Sequence, residues 1–356
     1  MQHICVILVG LGNLGRRFCE IVDDKSAFLE RLYGLKLRLV GAADSRGAAY
    51  SADGLDWAAV AELKARGGTI ADYPVAGQSG WGAVDLVKAA DADLLLEASP
   101  VNLAQGGEPG LSCVRAAMQK GMNVVMPNKG PLVLAFRELH ELARANGVAL
   151  RYDGTVAGGL PALNVGCRDL RGARVRLLEA VPNLVTGYVM DMLADGVPWD
   201  EATSRARAEG VLEADASWDL DGWDAAAKLV IMANAVLGCN ARLEDVARAG
   251  INAVVRDELR AALDRGERYR LLARAELLHD GSYALSVTPL PLPPMHPLGR
   301  LGRKQMGVLY STDLYGTITL LIDEPNPIPS AASMLRDLLD IYVDDTSTIA
   351  VWGASA

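Results

Sequence analysis

The strongest constraint on this chain lies at its start. Residues 4–9 form an unbroken apolar run, Gly10-Leu11-Gly12-Asn13-Leu14-Gly15 follows at once, and residues 16–22 read as helix. A run without polar alternation is the pattern of a strand buried on both faces of a parallel sheet. The glycine spacing between strand and helix has a physical logic. The first glycine permits a tight turn, the second lets the backbone approach a pyrophosphate, and the third lets helix and strand pack closely. Unsatisfied N–H groups at the helix start, with the helix dipole, then attract phosphate. The segment predicts a dinucleotide site in which Gly10, Gly12, Asn13, Leu14 and Gly15 hold NAD or NADP.

Further buried strands are expected at residues 37–43, 94–97, 123–126 and 149–152, with helices at 111–120 and 134–146 and a long connection over 23–36. Gly147 stands where a left-handed residue ends a helix. This alternation predicts an α/β fold, a Rossmann-type doubly wound parallel sheet over residues 1–152. After a turn-rich hinge at 153–161 the pattern changes to an α+β substrate and dimerisation domain over 153–329. Its strands are expected at 174–181, 283–289 and 316–322, and its helices from Thr186, at 199–209 and at 224–237. A last helix, 330–342, is expected to pack back on the first domain.

Composition narrows the function classes. Half the chain is hydrophobic but only 5% is aromatic, so small aliphatic residues must build closely packed layers. A net charge of −9 without a basic block argues against nucleic acid as partner. No apolar run approaches the ~20 residues that cross a bilayer, so no membrane association is expected. Five scattered cysteines read as reduced thiols, and the N-terminus lacks the basic-then-apolar pattern of a signal peptide. The expected location is the cytoplasm. Histidines 3, 140, 279 and 296 show no metal-ligand spacing.

Asp44 ends the second strand, where a carboxylate accepts hydrogen bonds from the adenosine ribose and favours NAD. Arg46, beside Ser45, is placed to pair with a 2′-phosphate, and Asp44 is equally readable as a turn residue capping Ser45-Arg46-Gly47. Cofactor preference stays open at this point. Ser99, Asn128 and Lys129 complete the expected cofactor-binding set.

Two lysines have surroundings that solubility does not explain. Lys129, in Met126-Pro127-Asn128-Lys129-Gly130, follows a strand at the carboxyl edge where open sheets place ligands. Lys228 lies in an otherwise apolar helix, four residues after Asp224, so carboxylate and ammonium share a face. It reads either as a proton-handling group in a closed site or as a lysine snorkelling from a half-buried helix. Between Glu213 and Asp224 the chain is acidic: Glu213, Asp215, Asp219, Asp221 and Asp224. The spacing matches no Ca²⁺ loop, but such carboxylates suit a substrate ammonium.

Taken together, these segments resemble the homoserine dehydrogenase family over nearly the whole chain. The resemblance is carried by the glycine loop, Ala43-Asp44-Ser45-Arg46-Gly47, the segment around Lys129, the hinge Gly154-Thr155-Val156-Ala157-Gly158-Gly159-Leu160-Pro161 and, most specifically, residues 210–215 and 219–229. It implies an NAD(P)-dependent alcohol dehydrogenase of threonine and methionine biosynthesis, interconverting L-homoserine and L-aspartate 4-semialdehyde. It assigns Lys129 and Lys228 to the reacting centre, with Asp224 orienting Lys228. Glu213, Asp219, Asn183 and Thr186 bind the amino-acid substrate. It further implies Na⁺ or K⁺ held through backbone carbonyl oxygens near Asp153, Val156 and Gly158, where relatives have Glu in place of Asp153. A homodimer is expected, in the short form that lacks a regulatory ACT domain or a fused kinase.

One segment departs from the family. Relatives carry Asn-Gly-Thr-Thr-Asn-Tyr where this chain has Asn183-Leu184-Val185-Thr186-Gly187-Tyr188, and Val211 replaces a frequent tyrosine. Lost polar contacts beside a substrate change which substrate a pocket prefers. Two alternatives therefore stand beside homoserine: an oxidoreductase of a different hydroxy or amino acid, and a non-catalytic NAD(P)-binding sensor.

Overall fold

The computed structural model describes residues 1–209, 212 and 216–343. The chain forms two compact units, Met1–Gly159 with Asn326–Ala356, and Leu160–Pro325.

The first unit runs β1 (Gln2–Val9), α1 (Asn13–Tyr33), β2 (Leu35–Asp44), β3 (Gly47–Leu55), α2 (Trp57–Ala65), β4 (Gly77–Ser79), α3 (Ala83–Ala89), β5 (Leu94–Glu97), α4 (Gly110–Gln119), β6 (Asn123–Val125), α5 (Lys129–Asn146) and β7 (Leu150–Arg151). Its sheet has the order β4-β3-β2-β1-β5-β6-β7. The pairs β2–β1, β1–β5, β5–β6 and β6–β7 are parallel, as expected for a doubly wound sheet. The chain winds outward from β1 to β4, then returns to β5 on the other side of β1, so the strand order reverses at β1. Ligands bind open sheets at such a reversal. One edge differs from the expectation: β3 pairs antiparallel to β2, because residues 45–46 form a tight turn instead of a crossover, and β4 pairs antiparallel to β3.

A second correction concerns α1, which continues through the predicted connection to Tyr33 and ends at Gly34 in the left-handed region (φ 62°). Phe18, Cys19, Val22 and Leu29 are buried along one face, while Asp23, Asp24 and Lys25 are exposed. The charged stretch is the wet face of an amphipathic helix.

The second unit contains α6 (Ala162–Asn164), β8 (Val175–Val181), α7 (Leu184–Ala194), α8 (Trp199–Ala208), α9 (Ser217–Leu220), α10 (Trp223–Val236), β9 (Val246–Arg248), α11 (Arg256–Asp264), β10 (Arg268–Leu277), β11 (Tyr283–Leu292), β12 (Gln305–Thr312) and β13 (Thr317–Asp323). They build a six-stranded sheet, β13-β12-β8-β10-β11-β9. Val181, Leu272, Leu292, Leu298, Leu301 and Leu309 form its core. The chain then returns to the first unit with α12 (Ile328–Tyr342), whose Met334 and Leu338 join Val6, Leu8, Phe18 and Leu96 in one cluster.

Candidate active site

In the first unit, three neighbouring strands deliver site residues from their carboxyl ends: the glycine loop after β1, Ser99 after β5, and Asn128 with Lys129 after β6. Each glycine has its own reason. Gly10 has φ +90°, and a Cβ there would stand 2.3 Å from the Ala98 carbonyl carbon. A Cβ on Gly15 would lie 2.0 Å from the Gly10 oxygen, so this glycine lets α1 approach β1. At Gly12 no protein atom lies within 4 Å of the Cβ position and φ is an ordinary −73°. Nothing inside the chain demands glycine there, which fits a ligand approaching the backbone. Among the described residues no side chain caps α1, and its first turn holds no acid. An uncapped helix start beside an exposed Gly12 and Asn13 suits pyrophosphate. Leu14 is half-buried.

Asp44 departs from the ribose role. Its carboxylate accepts from Arg46 N (2.9 Å), Thr69 Oγ1 (3.0 Å), Lys64 Nζ (2.6 Å) and Ile70 N (3.0 Å). Burial acts to raise its pKa, but the hydrogen bonds from Lys64, Ile70 and Arg46 outweigh that and hold it below the usual carboxylate value. Asp44 is thus a turn residue that ties β2 to the segment after α2. Ser45 and Arg46 are exposed on the turn, where Arg46 Nη2 donates to Gly67 O at 3.0 Å.

Ser99 is buried, and both its N–H (3.0 Å) and its hydroxyl donate to Glu97 Oε1. Asn128 Nδ2 donates to Ser99 Oγ at 3.3 Å, while its Oδ1 accepts from Gly130 N at 2.9 Å and caps α5. Lys129, half-buried, is the first residue of that helix.

In the second unit, Asn183 organises the polar residues. Its Oδ1 accepts from Val185 N at 2.7 Å, capping α7, and its Nδ2 donates to Asp219 Oδ1 (2.6 Å) and Asp224 Oδ2 (2.7 Å). Lys228 Nζ lies 2.8 Å from Asp224 Oδ2 and donates to Pro182 O at 2.7 Å. Only 12% of the Lys228 side chain is exposed, which excludes the snorkelling reading. Asn183, Asp219, Asp224 and Lys228 are therefore one hydrogen-bonded cluster, as the helical spacing of Asp224 and Lys228 required. Thr186 is buried in the first turn of α7, next to the half-buried Leu184 and the buried Val185. Glu213 and Val211 lie outside the described residues.

Comparison with known proteins decides the family. Residues 161–339 match the homoserine dehydrogenase family model, and residues 10–153 match its NAD-binding domain. A homoserine dehydrogenase of Methanocaldococcus jannaschii is 32% identical over 95% of this chain and 98% of its own length. The chain belongs to the homoserine dehydrogenase family. An NAD(+)-dependent homoserine dehydrogenase of Pseudomonas canavaninivorans is likewise 32% identical, over 97% of this chain and 98% of that protein. The crystal structure of the Thermoplasma acidophilum homoserine dehydrogenase superimposes with a TM-score of 0.82 at 27% identity, covering 95% of this chain and 98% of that one.

Within this homoserine dehydrogenase, the cation expected at Asp153, Val156 and Gly158 meets a competing positive charge. The carboxylate of Asp153, 2% exposed, pairs with Arg336 Nη2, and Arg336 Nη1 donates to Gly159 O at 2.8 Å. Asp153 O accepts from Val156 N at 3.3 Å. The Asp153 side chain thus serves a guanidinium and does not fit as an ion ligand.

Two groups of consequence escaped the sequence reading. Arg336 and Asp337 sit in the last helix, from which only its packing on the first domain was expected. Glu97 ends the run Leu94-Leu95-Leu96 and is completely buried. Burial pushes its pKa up to about 7, against the hydrogen bonds from Ser99 and the polar Asn128 amide beside it. A carboxylate closing an otherwise apolar strand at the ligand edge was the available signal.

Proposed function

We propose that the protein is an NAD(P)-dependent homoserine dehydrogenase that interconverts L-homoserine and L-aspartate 4-semialdehyde. The observation that carries this reading is the Asn183–Asp219–Asp224–Lys228 cluster, found in a chain of this family. When bound, the nicotinamide supplies or accepts the hydride. The chain's own residues do the rest. Gly10, Gly12 and Gly15 with the start of α1 bind the pyrophosphate, and Arg46 is the cation available to a 2′-phosphate. Asp219, with Glu213, grips the polar ends of the substrate, and Thr186 lines the same region. Lys228, oriented by Asp224, protonates the aldehyde oxygen in one direction and takes the hydroxyl proton in the other. Lys129 is the second lysine that we assign to the reaction.

Leu184 and Val185 favour a second reading, oxidation of a hydroxy or amino acid less polar than homoserine. Following reduced-cofactor absorbance with homoserine and a panel of other hydroxy acids separates the two. Turnover with homoserine is expected, and turnover with another acid alone would overturn the first reading. We further propose a cytoplasmic homodimer. In support, all five cysteines are free thiols, no described helix is long and apolar enough to cross a membrane, and the edge strand β13 leaves Leu321 52% exposed.

A further inference from the structure

We propose that Glu97 is a positioning residue for Lys129, acting through Ser99 and Asn128; the inference rests on the placement of Lys129 at the reacting centre. Burying a carboxyl group without full compensation is costly. Yet Glu97 is 0% exposed, and its Oε2 has no hydrogen-bond partner. The fold also makes room for it. A Cβ on Gly110, the first residue of α4, would stand 2.8 Å from Asn128 Nδ2 and 3.1 Å from the Glu97 carboxyl carbon and Oε2. The α4 backbone closes over the Glu97–Asn128 pair only because that residue is glycine.

The relay has a fixed polarity. The Glu97 oxygen facing Ser99 already takes the Ser99 N–H, so it accepts whether the carboxyl is ionised or carries its proton on Oε2, and the Ser99 hydroxyl must donate to it. The Ser99 oxygen is then left to accept, and Asn128 must turn its NH₂ toward Ser99 (3.3 Å). That orientation places Asn128 Oδ1, rather than Nδ2, against Gly130 N at 2.9 Å, which is the cap of α5. An asparagine amide reads almost the same in either orientation, so its neighbours decide which way it points. Gly130 N–H, which can only donate, and the Ser99 oxygen, held as an acceptor by Glu97, fix the same orientation. If the acceptor opposite Ser99 is removed, the serine hydroxyl is free to turn toward Asn128 Oδ1 and compete there with Gly130 N–H. The cap then weakens, and the first turn of α5, which carries Lys129, loosens. Displacement of a reacting group by a fraction of an ångström lowers the rate without weakening substrate binding.

The test uses the full-length protein with homoserine and NADP or NAD. Glu97→Met, which removes the acceptor opposite Ser99 at similar volume, is expected to lower kcat roughly tenfold. Homoserine KM and cofactor Kd should stay within experimental spread. Glu97→Gln can keep an amide oxygen toward the Ser99 N–H and hydroxyl and should recover most of the loss. In a Lys129→Met background, Glu97→Met should leave the residual turnover unchanged, because the group it positions is gone. Wild-type kcat in Glu97→Met overturns the proposal, and so does a full loss repeated in the Lys129→Met background. Should Glu97→Met fail to fold, Ser99→Ala, which removes the acceptor of the Asn128 NH₂, decides: a lowered kcat at unchanged homoserine KM supports the relay, and an unchanged kcat refutes it. Normal turnover in Lys129→Met alone would instead overturn the role of Lys129, which distinguishes failure of that reading from failure of this one.

Discussion

Lys228 and Arg46 are each a single cation whose neighbours define its work. The Lys228 ammonium is fixed from two sides, by Asp224 Oδ2 at 2.8 Å and by Pro182 O at 2.7 Å. Asp224 keeps its bond from Asn183 when the lysine is removed, so the cluster tolerates the change. Lys228→Met should lower kcat by roughly a hundredfold or more, the scale of lost proton transfer. Cofactor affinity, measured by fluorescence titration, should stay at the wild-type value, and near-normal turnover would show a structural lysine. Arg46 makes the converse case. With the Asp44 carboxylate engaged by Lys64, Thr69, Ile70 and its own turn, no acid at this position is available to repel a 2′-phosphate. Arg46→Ala should raise KM for NADP roughly tenfold, the value of one charge-assisted hydrogen bond, with KM for NAD little changed. Equal effects on both cofactors would remove Arg46 from phosphate recognition.

At the scale of elements, the β1–loop–α1 unit separates stability from binding. Gly10→Ala meets the backbone of Ala98 and Ser99 at 2.3–2.4 Å and is strained at φ +90°. It should cost at least about 2 kcal/mol, seen as a lower Tm. Gly12→Ala meets no protein atom and keeps an allowed φ, so Tm should hold while cofactor Kd rises. A lower Tm in Gly12→Ala, or unchanged Kd, would remove the pyrophosphate reading of that glycine. This loop was legible in the sequence because strand, turn and helix obey local rules within residues 4–22. The pairing of Asp224 with Lys228 was legible for the same reason, being one helical turn. Where burial of charge breaks the pattern, legibility failed. Strand β10 alternates Arg268, Arg270 and Arg274 with apolar residues, and Arg270 points inward at 1% exposure. Its charge is met there by Asp191 (2.7 Å) and Leu301 O (2.7 Å), partners at sequence separations of 79 and 31 that no local pattern reveals. The antiparallel β3 was hidden by its small and polar residues, Gly47-Ala48-Ala49-Tyr50-Ser51, which give no apolar run. Asp44 was ambiguous because Lys64 and Ile70 reach it only through the folded chain.

Over the whole molecule, contacts distant in sequence gather along the last helix, at Tyr342 and again where the helix meets the hinge. Asp153 N donates to Asp337 Oδ2 at 2.9 Å across a separation of 184, and Arg336 pairs with the Asp153 carboxylate. This places two buried carboxyl groups beside one partly exposed guanidinium. One guanidinium neutralises one carboxylate, and the second carboxyl group must find another solution. Burial first, and the Asp153 charge second, push Asp337 up to about 8. Asp337 is therefore protonated in the native state at neutral pH, while in the unfolded chain it ionises near its ordinary value of 3.8. A native pKa above the unfolded one gives a contribution to stability that is complete below pH 3.8 and is lost as pH rises through about 8. Between those limits the native state binds the extra proton, so this group makes stability fall with pH by up to about 1.4 kcal/mol per unit. Asp337→Asn mimics the protonated acid, since its oxygen can accept from Asp153 N and its amide cannot ionise. Relative to wild type, the Tm of Asp337→Asn should therefore rise steadily from pH 5 to about pH 8 and level off above it. A constant offset across that range would mean that Asp337 is ionised in the native state, with the Arg336 guanidinium shared between both carboxylates.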